Sequence, residues 1–172
     1  MTVDADLAGG RLDAALLAQG THMAEFETET VAVDVFVLAG RRDHPLLRPK
    51  RPARLDELDG ECVLLLGDGH CFREQALALC TKARAHEADY TATSLSTLAQ
   101  MVAGGAGITL LPALSLSVEN RRGDLALRAF AAPAPSRTLV LAWRKQSPLR
   151  AGLKEVAAAI CAVTKTSRRA HP

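Results

Sequence analysis

An α/β protein of two lobes is predicted from three observations. Between Cys62 and Leu111, strand-like and helix-like stretches alternate as βαβαβ, the rhythm of a parallel sheet with right-handed crossovers. Two connectors flank that block: Arg41 to Arg54 holds three prolines and six basic residues, and Pro133 and Pro135 mark the second. A chain of 172 residues, 48% hydrophobic and 23% charged, is long enough for one good core or two small lobes. The first lobe is then built from both ends of the chain, 1–40 and 136–166, the second from 41–135, and 167–172 forms a basic tail.

Val3 to Gly9 reads as the end of a helix stopped at Gly9-Gly10. Leu12 to Ala18 is an apolar run of strand length, Thr21 to Glu25 a loop, and Phe26 to Leu38 holds two β-rich pieces, around Val31 and Val35-Phe36-Val37-Leu38. Past the first connector, Cys62 to Leu66 is a buried-type strand, His70 to about Arg84 a helix, and Ala88 to Ala92 a short strand. Ser94 offers an N-cap for a helix over Leu95 to Ala103. Ile108 to Leu111 is a strand closed by Pro112, and Gly104-Gly105-Ala106-Gly107 before it is a helix stop, since a phosphate-binding turn needs the opposite order of strand and helix. Leu125 to Phe130 and Thr138 to Trp143 are strands. Ser147 and Pro148 then open a helix whose Leu149, Leu153, Val156, Ile160 and Val163 repeat at helical spacing, as for one core-facing stripe.

The bulk properties exclude several function classes. A formal charge of +2 is too small for a nucleic-acid surface, and the basic residues Lys165, Arg168 and Arg169 with His171 read as a solvated end. No apolar run approaches the roughly 20 residues of a membrane span, and Met1-Thr2-Val3-Asp4 lacks the basic start and apolar centre of a signal peptide, so a cytoplasmic protein is expected. Four cysteines, 62, 71, 80 and 161, show no paired ligand spacing, and no metal or other cofactor is expected. Cys62 and Cys161 lie in apolar runs and read as buried small hydrophobes.

The stretch Asp68-Gly69-His70-Cys71-Phe72-Arg73-Glu74-Gln75 to Cys80 asks for chemistry. Cationic neighbours and a helix N-terminus both lower a thiol pKa, and Cys71 is placed in or near a first turn between His70 and Arg73. A cysteine with basic neighbours is also an ordinary residue in a solvated turn; the second cysteine shifts the balance. Nine residues along a helix is about 14 Å of rise and about 900° of rotation, so the two thiols fall on opposite faces, whereas a disulfide needs Cα atoms within roughly 7 Å. If the pair bridges at all, the helix must unwind, and a bond that forces a structural change is a switch.

His70-Cys71-x-Arg73-x-Gln75-Ala76 with Cys80, followed by Thr93-Ser94-Leu95-x-Thr97-Leu98-x-x-Met101-Val102-Ala103-x-Gly105-x-Gly107-Ile108-Thr109-Leu110-Leu111-Pro112, resembles the regulatory domain of the OxyR-type peroxide sensors of the LysR-type transcription regulator family. The resemblance runs more loosely from Leu12 to Arg150. It implies a periplasmic-binding-protein-like, two-lobe LysR effector domain with its first lobe incomplete, since the family places a strand, a helix and a strand, a linker helix and a winged helix-turn-helix upstream. A truncated gene product, a misplaced start or a decayed, non-functional remnant would each account for that. It further implies that hydrogen peroxide oxidises Cys71, that Cys80 resolves it into a Cys71–Cys80 disulfide, that His70 and Arg73 bind peroxide or stabilise the thiolate, that the domain forms homo-oligomers, and that DNA is met only through a helix-turn-helix domain absent from this chain.

Thr93 and Ser94, ending a strand and opening a helix, could line an effector cleft, against the plainer role of Ser94 as an N-cap. His44 reads as a turn residue, and His22 and His86 have no evident partners. No Ser-His-Asp order, nucleotide loop or paired carboxylates stand out, so enzymatic turnover is not expected. Two rivals remain: a thiol peroxidase, which also needs an activated and a resolving cysteine, and a small-molecule effector domain in which Cys71 and Cys80 are idle. Stoichiometric oxidation without turnover separates the sensor from the first, and ligand binding indifferent to Cys71 would favour the second.

Overall fold

The computed structural model of the chain describes residues 3–20, 23–68 and 71–169, with the side chains of Cys71 and of 166–169 set aside. Two compact units are present, Met1–Asp34 with Arg137–Pro172, and Val35–Ser136. The changeover falls inside a strand, β2 (Phe26–Gly40), rather than at the composition change after Gly40.

In the first unit, α1 (Val3–Ala8) stops at Gly9 and Gly10, and Gly10 takes the left-handed φ of +76° that a side chain would resist. β1 (Ala14–Ala18) pairs antiparallel with β7 (Ser136–Arg144), Ala14 opposite Trp143 and Ala18 opposite Leu139. Strand alternation splits the core across the two faces of this sheet. Leu141, Trp143 and Val31 pack with α5 (Arg150–Arg169) on one face, while Ala142 packs with Leu7 and Phe26 on the other. β2 is one continuous strand, not two pieces. No glycine or proline interrupts it, and Asp34, the polar residue between the expected halves, is buried with its carboxylate held by Arg137 Nε at 3.0 Å and Nη2 at 2.9 Å.

The expected core stripe of α5 divides into two. Leu153, Ala157 and Ile160 meet the sheet, whereas Leu149, Val156 and Val163 are 49%, 48% and 69% exposed. A step of seven residues returns to within about 20° of its start, so the exposed three form a second seam beside the buried one. Ser147 does cap the helix entry, its Oγ accepting from the Leu149 amide at 3.2 Å.

In the second unit the strands lie in the order β6 (Ala126–Ala129), β2, β5 (Ile108–Pro112), β3 (Cys62–Val63), β4 (His86–Glu87). β3 runs parallel to both β5 and β4, and β2 runs antiparallel to β5 and β6. α2 (Cys71–Ala83) and α3 (Leu95–Ala103) supply Phe72, Ala76, Cys80, Leu98 and Val102 to one core with Leu38, Leu64, Leu65, Ile108, Leu110 and Leu111. A short α4 (Leu116–Glu119) follows β5. The ladder expected over Ala88–Ala92 is displaced to His86–Glu87. A bend at Asp89 and Tyr90 parts the two chains before they rejoin at a single bridge, Leu66 with Ala92.

Cys62 is exposed, not buried: in the two-residue β3 it alternates with Val63, which takes the core side at 0% exposure. Cys161 is half-buried, at the margin of the α5 seam that meets the sheet. No helix is long and apolar enough to cross a membrane, and no cluster that could hold a metal ion occurs, both among the described residues.

Candidate redox site

α2 begins at Cys71, the residue after which the chain recovers helical hydrogen bonding from the Gly67-Asp68 break. The Cys71 amide therefore belongs to a first turn, where unpaired N–H groups favour negative charge on a neighbouring atom. His70 lies outside the described residues, as does the Cys71 side chain. One buried stripe, Phe72, Ala76, Cys80 and Ala83, faces the core, and Phe72 sets its ring against Phe36 with centroids 5.8 Å apart. α2 is unbroken from Cys71 to Ala83, so the two cysteine backbones stand about 14 Å apart along its axis and on opposite sides.

Cys80 is a free thiol at 1% exposure. Burial first, and the nearby Glu87 carboxylate second, push its pKa up to about 11. In place it is therefore protonated at neutral pH, out of reach of solvent and a poor nucleophile.

Arg73, expected beside Cys71, extends across the start of α2 to four oxygens on three residues. Its Nη1 donates to the Leu66 carbonyl at 3.0 Å and to Glu87 Oε1, its Nη2 to Glu87 Oε2 at 3.1 Å, and its Nε to Asp68 at 2.9 Å. The Glu87 bonds lead in raising its pKa further. Asp68 is 97% exposed and adds little, whereas Glu87 at 27% makes the bidentate contact. The first turn of α2 is thus tied to β4 and to the end of the strand region at Leu66.

Gln75 belongs to the same sequence motif as Cys71 and Arg73. Among the described residues, its Oε1 is buried with no hydrogen-bond partner, a costly state for an acceptor. It lies four residues after Cys71, which places the two on the same side of α2 one turn apart. That spacing was the available signal. An acceptor there suits an O–H donor arriving at Cys71.

Ser94 caps α3, its Oγ accepting from the Thr97 amide at 3.1 Å and paired with the Thr97 hydroxyl at 2.9 Å. Thr93 beside it is exposed. A groove of about 700 Å³ is lined by Ser96, Gln100, Glu119 and Arg122 and includes neither Thr93 nor Ser94.

The LysR substrate binding domain matches residues 2–164. The chain belongs to that family. Its periplasmic-binding-protein-like α/β fold is that of the solved domains it resembles. The crystal structure of the reduced form of OxyR is 38% identical, with 93% of this chain and 75% of that chain covered at a TM-score of 0.82. The oxidized form of OxyR is 40% identical, with coverage of 93% and 76% at 0.79. A hydrogen peroxide-inducible genes activator of Pectobacterium carotovorum subsp. carotovorum is 42% identical over 154 residues, 89% of this chain and 51% of that protein. The LysR-type chain thus spans about half the length of the curated relatives it matches.

Proposed function

We propose that the chain is the redox-sensing regulatory domain of a LysR-type transcription regulator, in which hydrogen peroxide oxidises Cys71 and Cys80 resolves the product. The observation that carries this reading is the unequal placement of the two cysteines on one helix. Cys71 opens α2, and Cys80 is buried, protonated and held about two and a half turns away. Likeness to both a reduced and an oxidized OxyR structure supports it.

The Cys71 thiolate attacks one peroxide oxygen, the O–O bond breaks, and hydroxide leaves, giving Cys71–SOH. Gln75 Oε1 is the acceptor for the peroxide O–H or for the sulfenic acid, and His70 and the charge of Arg73 favour the thiolate. Cys80 then attacks the sulfenic sulfur, its proton leaves with the hydroxyl as water, and the Cys71–Cys80 bond forms. That step requires α2 to unwind, because its thiols cannot meet within disulfide reach while the helix stands. Unwinding also brings Cys80 to water, where burial no longer suppresses its ionisation. In this reading the domain works in the cytoplasm as a homo-oligomer and acts on DNA through a separate helix-turn-helix domain.

Peroxide titration with quantified consumption tests the reading. Wild type should consume one equivalent and stop, Cys80→Ser should stop at a sulfenic acid trapped by dimedone, and Cys71→Ser should consume none. Sustained turnover would make it a peroxidase, and consumption by Cys71→Ser equal to wild type would remove Cys71 from the chemistry.

A further inference from the structure

Three segments of the second unit meet around a cavity of about 420 Å³. One is the first connector at Ala53 to Leu55, one the second connector from Phe130 to Pro135, and one the side of α2 that carries Leu79 and Lys82. The two connectors are joined by a β-bridge between Ala53 and Phe130, in which the Ala53 amide donates to the Ala129 carbonyl at 2.7 Å and the Ala131 amide to the Ala53 carbonyl at 2.8 Å. Leu79 and Lys82 stand three residues apart, on one side of the helix. Leu79 is partly buried against the core that takes up Cys80. The volume lies within the roughly 300–1,000 Å³ of small-molecule sites.

The chemistry of the wall is one-sided. Leu55, Leu79, Phe130 and the rings of Pro133 and Pro135 make it apolar, and among the described residues no carboxylate lines it. Two cations do, and they differ. Arg54 is satisfied by Asp56, Nη2 to Oδ2 at 2.8 Å and Nε to Oδ1 at 3.1 Å, so that pair is neutral as a unit. Lys82 is exposed and has no ion-pair partner among the described residues; a lysine so placed lays its aliphatic stem along the wall and keeps its ammonium in water. The amides of Ala53, Arg54 and Ala131 are already bonded, and Pro133 and Pro135 have none, so an anion here is met chiefly by the lysine. The larger groove beside α3 lacks this bias, because it mixes Glu119 and Asp124 with Arg121 and Arg122.

We propose that this cavity binds a small organic monoanion, its hydrocarbon body against Leu79, Phe130 and Pro133 and its single carboxylate on Lys82. One surplus positive charge above an apolar wall matches one negative charge at the end of an apolar body. Inorganic phosphate or a short dicarboxylate would instead press polar surface against hydrocarbon without partners. The bridge fixes two of the three walls, and the third is α2. In the proposed function α2 unwinds as Cys71 joins Cys80, which withdraws Leu79 and Lys82 from the cavity. The ligand then favours the helical, reduced form, and by linkage the oxidised form binds it more weakly by the same factor. This coupling rests on the proposed function; the binding site itself does not.

Titration of the reduced 172-residue chain with 3-phenylpropionate, followed by the amide resonances in NMR, provides the test. A ligand of this size is expected to bind with a Kd of about 1 mM. Shifts should saturate and centre on Ala53, Leu79, Lys82 and Ala131. Lys82→Met should weaken binding about threefold or more, as should the neutral 3-phenylpropanamide, while Lys145→Met, an exposed site in the other unit, changes nothing. No saturation by roughly 10 mM, shifts centred elsewhere, or an affinity indifferent to Lys82→Met overturns the proposal. One equivalent of hydrogen peroxide is then added. A Cys71–Cys80 bridge with affinity lowered about fivefold or more is expected. A bridge with unchanged affinity overturns the coupling to α2, whereas a chain that binds through Lys82 but forms no bridge overturns the sensor reading and leaves the site standing.

Discussion

Arg73 and Arg128 each hold a glutamate between separate segments of the second unit, and the contrast between them locates what can move. Arg128, in β6, is 3% exposed. Its guanidinium donates to the carbonyls of Arg51, Leu46 and Pro52 at 2.9, 2.8 and 3.3 Å and to both oxygens of Glu57 at 3.1 and 3.0 Å. Those bonds fasten the proline-rich connector to the sheet and engage all three nitrogens of the cation. Arg73 is 17% exposed and divides itself between a half-buried Glu87, an open Asp68 and one carbonyl. Similar chemistry gives a buried rivet in one place and, in the other, a clasp on the turn that opens in the proposed mechanism.

Removing Arg128 should have the largest effect. Arg128→Ala strips a buried cation from Glu57 and three carbonyls, and a loss of about 3–5 kcal/mol in urea unfolding is expected. The pH dependence should change with it. Burial opposes ionisation of Glu57, but Arg51, the Arg54 amide and Arg128 outweigh it and lower its pKa to about 2. A lowered folded-state pKa gives stability that is fully present above about pH 4.5 and is lost as pH falls toward 2. Wild type should show that acid loss, and Arg128→Ala should show a smaller one. Equal acid slopes would dissolve the rivet.

A smaller and more selective effect is expected for Arg73→Ala. Global stability should change by about 1 kcal/mol or less, as for partly exposed pairs. Protease cleavage between Leu66 and Glu87 in the reduced protein should rise severalfold, and the delay between Cys71 oxidation and bridge formation should shorten. A variant as protected as wild type would mean that the clasp does not hold the turn.

Neither arginine's partners were legible in the sequence, whereas much of the fold was, for reasons that can be named. α3 is marked at both ends by local chemistry, Ser94 as N-cap and Gly104 after the last turn, and its bounds follow from the chain alone. Gly9-Gly10 stops α1 in the same way. Cys62 was misplaced because an apolar run does not tell which residue of a short strand takes the core side. On α5 the apolar positions suit two seams, and only the packed sheet selects Leu153, Ala157 and Ile160. At the site, Cys71 and Cys80 are marked by spacing along one helix. The partners of Arg73 are not: Glu87 lies 14 residues away across a helix and a turn, and contacts of that kind are set by tertiary packing. Gln75 was visible as a residue, but its lack of a partner is a property of the folded protein.

The central claim is that one helix carries a sensor at its first residue and a buried resolver at Cys80, and peptide mapping after oxidation tests it most directly. The reduced chain is treated with one equivalent of hydrogen peroxide, free thiols are blocked, and the digest is read by mass spectrometry beside far-ultraviolet circular dichroism of the same sample. A Cys71–Cys80 bridge is expected, with Cys62 and Cys161 blocked as free thiols and helical signal lost in step with the bridge. Cys62 is the sharpest internal control, because it is exposed and would react first if accessibility alone decided. A bridge through Cys62 or Cys161, equal oxidation of all four thiols, or a Cys71–Cys80 bond formed with no loss of helix would contradict the account.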